Sequence, residues 1–579
     1  MKSIFILFFS FTLLCTSCAD PEAPQGDQPI TGFTGLPTAQ VDIKQVKMMP
    51  DFPPTYKMLD WKQKALDYDA YVFDWNRNDE VGPLIWLDKT QRNIPQNTFG
   101  LYTTVGDIRQ GPNNPASHEA INTIAAVLGG GLVGVDKTNQ DGYNYPKMLQ
   151  NYFAKANGWN IMLNGTSGYA GDWWYNVLPN VLYFGVCDVF PGVEGAEEIQ
   201  RSIADQFALA EETMNGNYNW SYFNFGNMSG YRTHIPFQQD AAGGHGYILL
   251  CSYKKYGDER YLETAKSAIS VLNSQTESRF YEVLFPFGAY TAAYLNAVHG
   301  TEYDVTKILD WIFTGCHSST GRRGWGVIRG TWGPYDVSGL QGSLNDGGGY
   351  AFFMNSIELA CPLVPMVKYA PQYARTIGKW MLNNASACRL FYPQEIADNH
   401  QYAADLKNLT YGNIAYEGLR YTDRYGTYDY KPIAEGDGPS WTSGMPTKTM
   451  FSLYSTSPVG ILGAIVNKTN VEGVMRLDCN ITDFYQERPY PVNLYYNPFD
   501  QAKEIDVQVG EGYHTEELGS ECDLFDIVSR TYVAKGVNSS GRFSIPAKSA
   551  MVIIQLPKDS VIYYHEDERL TVNEKVIAY

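Results

Sequence analysis

The chain has few histidines, no paired cysteines, a shortage of positive charge and no long apolar run beyond its first residues. Each absence excludes something. Without a further long apolar run, no membrane-spanning helix is expected after the N-terminus. Eight histidines in 579 residues, with no HExxH, leave no zinc-protease signature, and no GxSxG elbow offers a serine nucleophile. Of the nine cysteines, Cys15 and Cys18 lie at the N-terminus, and Cys187, Cys251, Cys316, Cys361, Cys388, Cys479 and Cys522 are scattered without a CxxC. That dispersion points to buried thiols, not to a zinc site or a disulfide framework, although one or two bridges stay open. Lys and Arg number 44 against 62 Asp and Glu, a formal charge of −18. An acidic chain without basic clusters repels polyphosphate, so nucleic acid is not an expected partner. No fixed repeat period is visible, which disfavours a TPR or HEAT solenoid.

Two motif matches fail on context. Gly129-x-Gly131-x-x-Gly134 has dinucleotide-fingerprint spacing, but it ends a helix instead of joining a strand to one. Lys137-Thr-Asn139-Gln-Asp141-Gly142 imitates a calcium loop with Lys in the first ligand position and Met148 in the twelfth. No motif calls for a cofactor or a metal site, and a structural calcium held by scattered acids stays open.

The first residues read as a processing signal: Lys2, an apolar run from Ile4 to Leu14, then Leu14-Cys15-Thr16-Ser17-Cys18. This resembles a bacterial lipobox and implies export, with Cys18 lipidated and holding the chain to the envelope, at the outer membrane. Membrane contact is expected through that anchor alone. Residues 19–45, rich in Pro, Gly, Asp and Thr, read as a tether.

From about residue 117 the apolar period is helical. Ile121, Ala125 and Leu128 share one face, and Leu149, Tyr152 and Phe153 serve the next helix. Trp173–Val186 is apolar nearly all round, and its partner carries Ile199, Ile203 and Phe207. Residues 238–273 read as a helical hairpin: an apolar helix after Asp240, a Gly-Asp turn with Asp258 as N-cap, and an outer helix with Leu262, Ala265, Ala268, Ile269 and Leu272 on one stripe. Phe285–Val298 pairs with Val305–Phe313, and Tyr350–Leu359 with Gln372–Ala387, which Pro371 opens. Five hairpins between about 117 and 388, with a sixth up to 455, alternate all-apolar and amphipathic members, as a ring of helices sheathed by another ring requires. After about Ser455 the period becomes two, at Val492, Leu494 and Tyr496, at Ile505, Val507 and Val509, at Phe543 and Ile545, and at Met551 and Ile553. The expected fold is mainly α with a C-terminal all-β domain: an (α/α)6 toroid over 46–455 with a loop-rich N-terminal cover, then a small antiparallel β-sandwich over 456–579, with 1–18 the lipoprotein signal.

The hairpins, GDERYLE and the C-terminal YPVNLYYNPFDQAKEIDVQVG and FSIPAKSAMVIIQLP resemble secreted bacterial carbohydrate-active proteins of the six-hairpin, (α/α)6-toroid class. More narrowly, HEAINTIAAVLGGGLVGVDKTNQDGYN, GWGVIRGTWGPYDVSGLQGSLNDGGGYAF and IGKWMLNNASACRLFYP resemble a group of large secreted bacterial proteins with no assigned reaction. The resemblance implies the toroid and a glycan partner. It does not select among hydrolases, lyases and epimerases, which share the fold.

Glycosidic hydrolysis needs a carboxylic acid and a second carboxylate. Asp240 before Ala241-Ala-Gly-Gly and Asp346 before Gly347-Gly-Gly-Tyr350 both head apolar helices, where missing side chains admit a ligand. Helix capping is the competing role for each. Asp172 heads Asp-Trp173-Trp-Tyr175, an acid beside a stacking platform or, equally, a cap before core aromatics. Glu417 and Asp437 are loop acids near Trp441. Trp325, Arg329, Trp332 and Tyr335, set amid glycines, read as an exposed sugar-stacking loop, with Tyr350 beyond it. The leading expectation is a glycoside hydrolase acting on an oligo- or polysaccharide, with Asp240 and Asp346 as acid and base, and Asp172, Trp173, Trp325, Arg329, Trp332, Tyr350, His234 and Trp441 in contact with substrate. Two alternatives stay open: a uronate lyase using His234, Tyr231 and Arg232, and a glycan-binding lipoprotein without catalysis.

Overall fold

A computed structural model describes residues 36–168, 171–321, 323–344, 349–422, 431–436, 444–510, 517–565 and 567–579. Cys18, Asp346, Asp437 and Trp441 lie outside them. The long helices are α1 (Trp61–Val72), α2 (Ala120–Leu132), α3 (Trp173–Val189), α4 (Ala196–Met214), α5 (Ala241–Tyr256), α6 (Glu259–Ser274), α7 (Phe285–His299) and α8 (Val305–Thr314). After these come α9 (Phe353–Glu358), α10 (Ala360–Leu363), the longer α11 (Ala374–Cys388), α12 (Leu453–Thr456) and α13 (Val459–Ile465).

Burial sorts them as the periodicity predicts. In α2, α5 and α7 almost every residue of the first three turns is buried, whereas α4 and α6 bury one stripe. Asp258 caps α6 through the amide of Arg260 at 3.0 Å, as expected. The inner helices close a ring: α2 packs on α3, α3 on α5, α5 on α7, α7 on α10, and α9 and α10 on α13, which returns to α2. The outer layer comprises α1 against α13, α4 against α5, α6 against α5 and α7, α8 against α7, and α11 against α9.

Within the loop-rich N-terminal cover, α1 is the outer partner of α13, the last inner segment. Two expectations need correction. The domain boundary expected at 455/456 falls too early, since α13 (Val459–Ile465) packs with the helices before the strand pattern begins at Val466. The alternating small residues of α13 gave no helical stripe, because a segment buried on every side needs none. Tyr350–Phe352 is a strand leading into α9 and not the first turn of a helix.

Glycines set the closest seams of the ring. Gly129 on α2 meets Gly460 on α13, and Gly243 on α5 meets Gly288 on α7. A Cβ at Gly460 would fall on the backbone of Gly129, and one at Gly243 would lie 2.5 Å from the Leu284 carbonyl oxygen. The glycine run with dinucleotide spacing is therefore a packing surface. Gly460→Ala should destabilise the protein by about 3 kcal/mol, at the upper end of overpacking because only backbone can move aside. Urea unfolding checks this, with Gly168→Ala, where an added Cβ meets nothing within 4 Å, as the near-neutral control.

The C-terminal region is β-rich. Its main sheet has the strands β1 (Val466–Lys468), β2 (Met475–Asp478), β3 (Val492–Tyr496), β4 (Lys503–Gln508), β5 (Glu521–Asp526), β6 (Thr531–Asn538), β7 (Ser540–Ile545) and β8 (Ala550–Pro557). They form one antiparallel ladder in the order β1-β2-β3-β8-β5-β6-β7-β4. Tyr495 on β3 and Phe543 on β7 lie four ladder steps apart, about 19 Å in a flat sheet. Their rings are 5.2 Å apart, so the sheet folds over on itself. Between β2 and β3 the chain dips into the ring, where the Asp483 carboxylate accepts from Lys368 Nζ at 2.8 Å and Tyr369 Oη at 2.7 Å. It also accepts from the Tyr290 hydroxyl, with Lys254 Nζ at 3.7 Å. This buried ion cluster fastens the β-rich region to the helices.

Candidate active site at the mouth of the ring

The inner helices begin at one mouth, and several begin with an acid. Asp172 precedes α3, Asp240 precedes α5, Glu119 precedes α2, and Tyr281-Glu282 lies just before α7. None of Glu119, Asp172 and Asp240 caps its helix through its side chain. The competing capping role is thus absent, and the carboxylates point to one another's neighbours instead.

Tyr281 links two of them. Its backbone N–H donates to Asp240 Oδ2 at 2.8 Å, and its hydroxyl lies 3.3 Å from Asp172 Oδ2. The Gln238 side-chain amide donates to Asp172 Oδ1, and Gln238 Oε1 accepts from Trp174 N at 2.9 Å. Asp240 is 1% exposed. Burial drives its carboxyl well above the usual range against the Tyr281 hydrogen bond, and Glu282 and Asp172 push the same way. Asp172 is half-buried and opens to the mouth.

Glu119 is half-buried on the neighbouring helix. Burial lifts its carboxyl to about 7, against a hydrogen bond from Asn164 Nδ2 and the charge of Arg109. Burial holds the Tyr175 hydroxyl well above its usual range, the charges of Glu119, Glu282 and Asp172 push the same way, and it hydrogen-bonds with Tyr454 of α12. On the far side, Asn355 Nδ2 donates to Glu282 Oε2 at 3.0 Å. One turn deeper, Glu358 has no hydrogen-bond partner among the described residues, and burial lifts its carboxyl to about 8, helped by Glu282.

A five-stranded sheet rims the mouth: Ile433–Glu435, Gly418–Arg420, Tyr350–Phe352, Gln341–Ser343 and Trp325–Val327, in that order. Tyr350 Oη is 3.2 Å from Glu417 Oε1, and the Arg420 guanidinium lies 4.3 Å from the Tyr350 ring centre. Arg420 in turn pairs with Glu435 at 2.5 Å.

Several expected contact residues have other places. Trp173 is fully buried, stacked on Tyr218 at 5.0 Å and donating through Nε1 to His245 at 3.1 Å. The Trp325–Tyr335 segment is not an exposed stacking loop: Trp325 and Trp332 are buried, in strands, and Arg329 alone of the three is exposed. Trp325 lies 6.3 Å from Tyr281 and Trp332 5.8 Å from Tyr421, as rim packing. Glycines there make room for the sheet, as where Gly342 meets the Tyr350 backbone. His234, Tyr231 and Arg232 lie in an exposed hairpin, with Tyr231 stacked on Tyr222 at 5.1 Å and Arg232 over Trp220 and Phe237. The rings and acids that sequence reasoning missed are Glu119, Tyr281, Glu282 and Tyr454. Glu119 had a signal, an acid directly before an apolar helix like Asp172 and Asp240. Glu282, inside an apolar run, had none.

No protein-family model and no curated protein matches the chain. Among solved structures it is similar to a GH127 β-L-arabinofuranosidase from Geobacillus stearothermophilus T6, at 11% identity and a TM-score of 0.33, over 90% of this chain and 85% of that one. It is similar to an unsaturated glucuronyl hydrolase specific for heparin, at 8% identity and 0.35, over 70% and 96%. It is also similar to the cellulase Cel9M of C. cellulolyticum, at 12% identity and 0.34, over 70% and 98%. The chain is a ring of helical hairpins followed by a β-rich region. Its chemistry has to be read from its own side chains.

Proposed function

We propose that the protein hydrolyses a glycosidic bond at the mouth of the helical ring, with Glu119 as proton donor and Asp172 as the second carboxylate. What supports this is that two half-buried acids stand at the starts of adjacent inner helices and both act electrostatically on Tyr175. Glu119 is protonated below about pH 7 and can give its proton to the leaving oxygen. Asp172, oriented by Gln238 and Tyr281, either takes a proton from the attacking water or attacks the anomeric carbon itself. The separation of the two carboxylates in the substrate complex decides which. Asp240, buried behind Tyr281, keeps that residue in place. Tyr175, half-buried beside these acids, is the aromatic side chain that would meet a sugar.

The pair expected from the sequence, Asp240 with Asp346, is the competing assignment. A panel of neutral and acidic oligosaccharides, assayed with wild type and with the Glu119→Gln, Asp172→Asn, Asp240→Asn and Asp346→Asn variants, separates the two. If Glu119→Gln and Asp172→Asn keep wild-type rates while Asp346→Asn is inactive, the assignment made here is wrong. New ultraviolet absorbance in the product would instead support the lyase centred on His234, Tyr231 and Arg232. Binding without turnover would support capture alone. We further propose export with a lipid on Cys18, so Cys18→Ser should release the protein from the membrane fraction.

The titration of Glu119 sets the pH profile. Its folded carboxyl sits at about 7, so activity should hold below that pH and fall as the proton is lost above it. Glu119→Gln should remove this alkaline limb together with most of the rate.

A further inference from the structure

We propose that Asn164 positions the proton donor of the mouth: it caps α2 in place of Glu119 and, through the same side chain, leaves Glu119 Oε1 as the oxygen that carries the proton. This rests on the reading of Glu119 as the proton donor. Asn164 lies in the stretch between Tyr152 and α3 and meets the start of α2 with its main chain and both ends of its amide. Its carbonyl accepts from Ala120 N at 3.0 Å, its Oδ1 accepts from Ile121 N at 3.0 Å, and its Nδ2 donates to Glu119 Oε2.

The bond from Ile121 N is the one that a cap side chain ordinarily accepts, from the second residue of the helix. Glu119 holds the cap position of α2 and makes no such bond. An acid there is drawn onto the first amides of its own helix, where partial positive charge favours it. Asn164 has already satisfied two of those amides, so the Glu119 carboxyl is free to stand at the mouth. Ile121 N needs an acceptor, which fixes Oδ1 towards the helix and Nδ2 towards Glu119. In a protonated carboxyl the carbonyl oxygen accepts and the hydroxyl oxygen donates. An N–H on Oε2 therefore makes Oε2 the carbonyl and puts the proton on Oε1. Asn164 is buried, so water competes little for this bond.

Both flanks of the contact are fixed. His118, one residue before Glu119, has Nε2 at 2.8 Å from Asp88 Oδ2 and Nδ1 at 2.8 Å from the Tyr152 hydroxyl. On the other flank, Asn180 of α3 grips Met162, accepting from its N–H at 2.8 Å and donating to its carbonyl at 3.0 Å. Leu163 N donates to the Tyr152 carbonyl at 3.1 Å. Residues 162–164 thus tie α3, with Asp172 at its start, to the acid at the start of α2. Of the influences on the Glu119 carboxyl, burial raises it most and the Asn164 bond opposes this most; Arg109 opposes it further and Asp107 adds to it. Tyr152, Tyr175 and Tyr454 also feel its charge.

Asn164→Asp separates the two roles. It keeps an acceptor for Ile121 N and replaces the donor on Oε2 by a second carboxyl, which holds Glu119 to its proton. Infrared difference titration of the purified protein, with Glu119→Gln identifying the band, reads that carboxyl without any substrate. In Asn164→Asp its midpoint should rise from about 7 by at least about one pH unit, with the melting temperature unchanged. Asn164→Ala should raise the midpoint and also lower the melting temperature, because the cap is lost. That variant carries the same readout if Asn164→Asp does not fold. On a cleaved glycan, the alkaline limb of kcat/KM should move with the midpoint in both. The proposal is overturned if the midpoint keeps its wild-type place in these variants, or if Asn164→Asp melts as low as Asn164→Ala. Wild-type rates in Glu119→Gln would overturn the hydrolase assignment instead, and the infrared midpoint does not depend on that result.

Discussion

Asp172→Asn is expected to lower kcat/KM on the cleaved glycan by about 10³-fold, within the range for a positioned acid–base group. The change corresponds to about 4 kcal/mol of transition-state stabilisation. It should appear in kcat more than in KM, because the base acts on charge that develops during bond cleavage. The substitution preserves shape. An asparagine carbonyl can still accept from Gln238, and its amide can meet the Tyr281 hydroxyl. The melting temperature and near-ultraviolet circular dichroism should therefore match wild type. Tyr281→Phe provides a graded control, since it removes the hydroxyl 3.3 Å from Asp172 and leaves the backbone bond to Asp240. A loss well below that of Asp172→Asn is expected. Equal rates for wild type and Asp172→Asn on every cleaved substrate would remove Asp172 from the chemistry.

The second large effect is on stability, at the far end of the ring. Asp483 is fully buried between Lys368, Lys254, Tyr290 and Tyr369. Asp483→Asn removes the charge that both lysines face and leaves Lys254, itself buried, without a counter-ion. Breaking a buried pair from one side costs about 3–5 kcal/mol. Urea unfolding of the variant should show that loss, and the β-rich region should become more open to proteolysis, since its loop is what the cluster holds. Burial alone would raise the Asp483 carboxyl, but the two lysine charges outweigh it and hold it at about 2. The unfolded value is 3.8, so the folded value is depressed. This stabilising contribution is complete above pH 3.8 and is lost as pH falls towards 2. Wild type should lose stability across that window, and Asp483→Asn should lose correspondingly less.

Much of the helical ring was legible from spacing, because a helix sheathed by others shows its burial in its composition. The apolar runs of α3, α5 and α7 and the striped partners α4, α6 and α8 are readable residue by residue. What failed were places where context replaces pattern. α13 has no stripe, and α1 is separated from its partner by most of the chain. The glycine-rich segment around Trp325 reads as a loop until the backbone of its sheet is seen to need the space. At the mouth, acids before apolar helices were a usable signal for Asp172 and Asp240 and would have served for Glu119. The same signal could not say that Trp173 turns into the core while Tyr175 faces the mouth. The two sit on different faces of one helical turn, and the neighbouring helices decide which face is inside.

By itself the sequence determined a helical part and a β-rich part, their approximate order, and acids at the starts of apolar helices. Those properties follow from local periodicity and composition. The tertiary structure alone decided that the starts of the inner helices converge, that Tyr281 joins Asp172 to Asp240, and that Asp483 anchors one part to the other. Each of these is a contact between segments far apart in the chain. Such contacts depend on which helix ends meet when the ring closes, and no local pattern of side chains carries that information.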